Sequence, residues 1–526
     1  MSTPHLKTPG IFIEELNAFP NAVVPVATAV PAFIGYTPQA SYEGRSYLNQ
    51  PMRISSLNDF LMIFGYPNPP APAAAAKQYH PEYYVVAQAA QTAQGNDVQI
   101  DGKYYSIVPD ASTIYYLYNS LRLFYENGGG DAYIVSVGTY GAPSHTALKA
   151  GEAPVNPNIR LPDLLGGLSA LKDEPEPTLY ICPDATLLSA DDYSTLMKTM
   201  LAQSSSMGTS ISILDIKGGH QPDALLWQND IQTFRDGTGL EGLSYGAAYY
   251  PFVKTQMMQD QDIDYTQICG GDMKVLSAII NPVSKDDAMA ATIIAEIQKP
   301  HSTFSVAQLH QSLMMASKTY CRIVKHILDH ANVLPPSGAM AGLITNVDAM
   351  MGPWKAPANR TIAGAVGLPI QLSDMQQGNL NVDAVSGKSV NAIRFFNGIG
   401  ILVWGARTLD GNSNEWRYIS VRRMTIFLEQ SCQLATRAYV FEPNNANTWQ
   451  TVISMLENFL MSIWKQGGLQ GNKPSEAFHV QCGLGVTMNA NDLLDGILRV
   501  NIQVAVVRPA EFIMISFEQL MSDTNP

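Results

Sequence analysis

Four stretches carry residue types that chemistry uses, and each falls short of what that chemistry needs. Ser386-Gly387-Lys388-Ser389 has the glycine, lysine and hydroxyl of a phosphate-binding loop. Val382 replaces that loop's first glycine and no apolar strand leads into it, so nucleotide binding is not expected. His326 and His330, four apart in YCRIVKHILDH, would share one helix face as a zinc helix requires, but Ile327 stands where a metalloprotease has its glutamate. GGGD at 128–131 follows a helix pattern and precedes a strand, the reverse of a dinucleotide loop, and reads as a helix stop. DGTGLEG at 236–242 lacks the ligand spacing of a calcium loop and reads as a turn. With no Gly-x-Ser-x-Gly elbow either, no catalytic residue, metal or cofactor is expected, and a structural protein is favoured over an enzyme.

Composition agrees. Of 526 residues 46% are hydrophobic and only 15% charged, a surface more neutral than most soluble proteins carry and suited to being covered by other protein. The net charge of -13 argues against a phosphate-tracking surface, so no nucleic-acid partner is expected. No apolar run approaches the roughly 20 residues of a membrane span, and no signal-peptide pattern opens the chain, so no direct membrane insertion and assembly in a cytoplasm are expected. Cys182, Cys269, Cys321, Cys432 and Cys482 are scattered and read as reduced core thiols.

Two texture changes suggest a multidomain chain, α/β followed by α+β. Residues 1–20 form an arm whose TPGIFIEEL alternates like a strand between prolines, and 21–65 the first part of a core, with a strand and a helix capped by Ser56 within 52–64. Residues 66–112, rich in Pro, Ala and Tyr, read as a surface insertion with a hairpin around Asp101-Gly102. From 113 to 340, apolar strands (178–185, 211–218, 243–253) alternate with helices, the pattern of a sheet covered on both faces. Residues 341–505 read as an α+β domain with helices from Val421 and from Asn447, strands at 478–488 and 496–507, and Trp404, Trp416, Trp449 and Trp464 as core. Residues 506–526 close the chain as a second strand without a local partner.

TPGIFIEEL, LRLFYENGGGDAYIVSVG, LPPSGAMAG, GPWKAPAN, VNAIRFFNGIGILVWGARTL, EWRYISVRRM, VFEPNNANTW, LMSIWKQGGLQGNKPSEAFHVQCG and VRPAEFIMI occur in an order that resembles the tail sheath family of contractile phage tails and extracellular contractile injection systems. The resemblance runs nearly end to end, is densest after residue 334, and leans towards injection systems in its first third. It implies a non-enzymatic subunit of a helical lattice: stacked hexameric rings around an inner tube, metastable when extended, contracting to drive the tube through a target envelope. Implied partners are further copies of the chain, the inner tube, baseplate and terminator or cap proteins, and sister sheath proteins; the particle would be a virion component or a released phage-tail-like device. A ring-forming shell protein or an α/β-domain enzyme stands as the alternative.

The resemblance also assigns residues. Thr8, Pro9, Gly10, Ile11, Phe12, Ile13 and Glu14, with Arg508, Pro509, Ala510, Glu511, Phe512 and Ile513, would be linking strands that add to a small sheet in a neighbouring subunit. The competing reading of the arm is a strand tucked into its own domain. Arg422, Arg423 and Arg437 would meet the tube; alternatively Arg422 and Arg423 pair with internal carboxylates such as Glu415 or Glu429.

Overall fold

A computed structural model describes residues 23–67, 76–91, 97–100, 102–280, 288–299 and 302–514. The chain divides into two compact units, residues 27–426 with 508–526 and residues 427–507 with 1–26.

The larger unit is built on a nine-stranded sheet. Its strands are β1 (Pro31–Thr37), β2 (Met52–Ile54), β3 (Ala132–Thr139), β4 (Leu179–Ile181), β5 (Ile211–Asp215), β6 (Gly246–Tyr250), β7 (Arg360–Thr361), β8 (Asn391–Phe396) and β9 (Gly400–Val403), in the order β7-β9-β8-β6-β5-β4-β1-β3-β2. The strands from β8 to β3 run parallel; β2 at one edge and the β9–β7 pair at the other are antiparallel. Every residue of β1, β4, β5 and β6 is buried, as expected of parallel strands covered on both faces.

Helices of this unit include α1 (Leu57–Phe64), α2 (Leu117–Glu126), α3 (Ala190–Met207), α4 (Trp227–Gly237), α5 (Lys318–Ala331) and α6 (Ser337–Met351). Ser56 caps α1 in a reciprocal capping box with Asp59. At the start of α2, buried Asp184 accepts from the amides of Tyr116 and Leu117, which have no partner inside the helix, and from that of Tyr36 in β1. Helix α2 ends as expected at Gly128, whose φ of +89° suits glycine. Helix α6 lies directly on α2 because it presents glycines there: a Cβ on Gly338 would stand 2.3 Å from the Ser120 carbonyl oxygen, and one on Gly342 2.3 Å from that of Phe124. The LPPSGAMAG stretch therefore encodes a backbone-to-backbone approach.

The expected boundary at 340/341 is corrected. Residues 341–426 belong to the larger unit, because β8 pairs in parallel with β6 (Tyr249 with Asn391, Tyr250 with Ala392) and brings β9 and β7 with it. The Asn391 side chain fixes the junction, donating to the carbonyls of Ala248 and Arg407 and accepting from the Arg407 amide. The stretch 66–112 is likewise more than a surface insertion. Its strands Tyr83–Gln88, Lys103–Pro109 and Val98–Ile100 form a sheet in that order, with the hairpin where expected. Tyr83, Val85, Val98, Ile100 and Ile107 join the unit's main core, and Arg322 of α5 donates to the Gln99 carbonyl.

In the smaller unit, α8 (Ala446–Lys465) buries Val452, Met455, Leu456, Phe459, Leu460 and Ile463, and packs on β10 (Phe478–Cys482), which pairs antiparallel with β11 (Val500–Val504). The helix α7 (Ile419–Thr436) begins in the larger unit and ends in the smaller one. Of the four tryptophans read as core, Trp416, Trp449 and Trp464 are half-buried and Trp404 is exposed; their indoles lie at the margins, Trp449 donating to Asn444 and Trp464 to the Gly471 carbonyl.

Candidate assembly interface

The β10–β11 pair is a two-stranded sheet with unused backbone bonding capacity. Phe478, Val480 and Cys482 alternate inward with His479 and Gln481 facing out, so helix α8 covers one face of a two-stranded sheet. Among the described residues each strand has one partner, which leaves two outer edges whose amides and carbonyls could accept further strands. Past β11 the chain still pairs briefly: the amide of Gln470 donates to the Ala505 carbonyl at 2.7 Å, and that of Ala505 to Ala477 at 2.8 Å.

Both candidate linking segments have observable roots. Thr8, Pro9, Gly10, Ile11, Phe12, Ile13 and Glu14 lie outside the described residues. The arm becomes described at Val23, which is buried, and the amide of Val26 donates to the Ser431 hydroxyl of α7 at 3.3 Å. At the other end, residues 508–513 form no strand with any of the described residues. Glu511 is held: its carboxylate accepts from Arg407 Nη2 at 2.7 Å and Nε at 3.0 Å, from Asn381 Nδ2 at 2.6 Å and from the Tyr418 hydroxyl at 3.0 Å. Burial pushes this carboxyl up, but the Arg407 and Asn381 bonds outweigh it and hold the group below the ordinary glutamate range. Beyond Glu511 the character changes at once, with Phe512, Ile513 and Met514 each more than 70% exposed. Nothing in the sequence distinguished Glu511 from its neighbours, because its partners come from residues 93 to 130 positions away.

The arginines separate into two kinds. Arg423 and Asp348 of α6 form a buried ion pair, and Arg423 also donates to the Thr28 carbonyl. Arg422 lies over the Trp416 ring, 3.5 Å from its centroid, and donates to Ser244. Both are buried, so neither presents its charge on the surface of the subunit; the carboxylate partner of Arg423 is Asp348, not Glu415 or Glu429. Arg437 is exposed at the end of α7.

The remaining chemical stretches are structural. Lys388 of the SGKS stretch is buried, donates to the Arg235 carbonyl, and receives a bond from Arg235 Nε on its own carbonyl at 3.1 Å. His326 and His330 lie with Nε2 atoms 3.3 Å apart, and burial together with His326 pushes the His330 imidazole down to about 4. Among the described residues no three His, Cys, Asp or Glu side chains gather as a metal site, and no helix is long and apolar enough to cross a membrane.

Comparison with known proteins supports the family reading. Residues 412–519 match the phage tail sheath C-terminal domain, a span that holds α7, α8, β10, β11 and Glu511. The whole chain superposes on the PVC sheath complex of an extracellular contractile injection system in its contracted state, at 25% identity and a TM-score of 0.56, covering 98% of this chain and 99% of that one. Residues 412–519 thus carry a phage tail sheath C-terminal domain, and the fold of the chain is that of a sheath subunit. The helical sheath of the anti-feeding prophage in its contracted state shares the fold, at 24% identity and a TM-score of 0.56 over 98% of this chain and 99% of that one. The tail sheath protein of Vibrio phage KVP40 is 24% identical over 198 residues, 38% of this chain, and the match spans 28% of that relative's length.

Proposed function

We propose that this chain is the sheath subunit of a contractile injection device, polymerising as stacked six-membered rings around an inner tube and shortening to drive that tube through a target envelope. The observation that carries this reading is the end-to-end likeness to a contracted sheath complex. The work comes from two packings of the same subunits, the contracted one lower in free energy. A gain of a few kcal/mol per subunit, summed over a lattice of on the order of hundreds, needs no nucleotide hydrolysis.

A lattice that slides must keep its links. The arm containing Thr8–Glu14 and the C-terminal segment containing Arg508–Ile513 from two neighbours add as strands to the open edges beside β10 and β11 of a third subunit. Main-chain hydrogen bonds supply affinity, and the period-two alternation of TPGIFIEEL supplies register. The prolines Pro4, Pro9 and Pro20 limit how far the arm can pair. Arg437 is the surface charge offered to the tube. Assembly takes place in a bacterial cytoplasm on the growing tube, with baseplate and terminator proteins at its ends and sister sheath proteins as further lattice members.

Expression with the neighbouring tube and baseplate genes, followed by negative-stain electron microscopy, tests this. Striated tubes in two lengths and two widths are expected; closed shells or dispersed monomers would refute it.

A further inference from the structure

We propose that Arg407, Asn381 and Tyr418 form an anchor for Glu511 that fixes where the C-terminal linking segment leaves its subunit, so that only residues from Phe512 onward reach a neighbour. This rests on the reading that the segment joins a neighbouring subunit, and narrows it: residues 508–511 are positioning residues within the donor.

The contrast within seven residues carries the inference. Up to Glu511 the segment is held by a two-point guanidinium grip plus two further donors, on a buried arginine. From Phe512 the side chains are apolar and exposed, Met514 at 94%. Arg407 is itself held in place: its amide bonds Asn391 at the start of β8, its Nη1 donates to the carbonyls of Asn381 and Gly411, and Arg407 bridges to Tyr418. The grip is thus tied to β8, a strand paired on both sides within the main sheet and a rigid support for a segment under load. A bidentate carboxylate–guanidinium pair suits that task, since it resists both sliding and rotation of the held chain. Residues 512–526 would reach roughly 50 Å if fully extended at about 3.3 Å per residue, sufficient to cross between subunits.

The test uses the full chain and the endoprotease that cleaves after glutamate, read by intact mass at the Glu511–Phe512 bond. The native chain should be cut slowly there, Y418F a few-fold faster, and R407A about tenfold faster or more, because opening of the segment becomes cheaper when a buried charge pair is lost. R407K, which keeps the charge but loses the fork, should fall between native and R407A. Rates at other glutamates should not change. If R407A melts before the assay temperature, Y418F and N381A decide; native cleavage rates at Glu511 in these variants would overturn the anchor. The linking reading is tested separately by truncation after Glu511: sheaths that assemble and contract intact without residues 512–526 would overturn it while leaving the proteolysis result standing. With both correct, R407A sheaths break into ring fragments on contraction.

Discussion

Arg423 of α7 and Asp348 of α6 meet as a buried ion pair, each side chain 4% exposed, with Arg423 Nη1 2.9 Å from Asp348 Oδ1. Two helices distant in sequence are thereby joined inside the larger unit. Removing one partner leaves the other charged in a dry place, which costs about 3–5 kcal/mol. R423A and D348A should each lower the melting temperature, and the apolar pair R423L/D348L should recover a large part of the loss. Equal melting of all four proteins would disprove the coupling. For the same reason, charge reversal at Arg422 or Arg423 reports on folding; only R437E, exposed and outside this network, bears on tube contact. It should weaken sheathing of tubes at raised salt without altering the melt.

Asp215 at the end of β5 accepts from the amide of Ser337 at 2.8 Å and from its hydroxyl. Burial raises this carboxyl to about 7 from an ordinary 3.8, against the opposing bonds from Ser337. Below pH 4 both folded and unfolded chains hold the proton. Between about 4 and 7 the unfolded chain has released it and the folded chain has not, so stability falls as pH rises, by up to about 1.4 kcal/mol per pH unit from this group. Above 7 the effect is constant. D215N should therefore become progressively more stable relative to the native chain from pH 4 to 7, with a plateau beyond. Parallel melting curves across that range would contradict the assignment. Asp184, raised by burial to about 6, adds the same sign over a narrower window in both proteins.

The α2–α6 contact offers a steric test. G338A and G342A each place a methyl 2.3 Å from a backbone oxygen, and backbone cannot swing aside as a side chain can. Each should cost about 1–3 kcal/mol by forcing the helices apart. At Gly378, where an added Cβ meets nothing, G378A should be neutral or slightly stabilising. Similar melting temperatures for G342A and G378A would show the contact to be softer than its geometry.

Deleting residues 1–16 separates folding from linking. The truncated subunit should melt like the native chain, since the root at Val26 and Ser431 is retained, yet should fail to yield sheaths that survive contraction. Intact contracted sheaths from this variant would refute the linking role of Thr8–Glu14.

How much was visible beforehand depends on the range of the interaction. The cap at Ser56, the stop at Gly128, the hairpin that pairs Ile100 with Lys103 and the alternation of strands and helices from 113 to 253 were legible, because each is set by residues within a few positions. The boundary near 340 was misplaced because the partner of β8 is distant in sequence: Asn391 pairs with Tyr249, 142 residues earlier (391 − 249). SGKS and His326–His330 could be weighed by spacing alone, but their burial came from packing.

The sequence by itself carried the sheath resemblance and the local elements, since ordered motifs and periodic apolar residues need no distant partner to be read. Which charges remain available was decided only by tertiary structure. Arg422, Arg423 and Arg437 are alike in sequence, yet long-range packing buries two of them, one against Asp348 and one on Trp416, and leaves the third in water. The same holds for Glu511, an ordinary glutamate until the fold brings Arg407 to it. Ion pairing falls off over a few ångströms, so its outcome is fixed by the folded chain's final geometry and not by residue type.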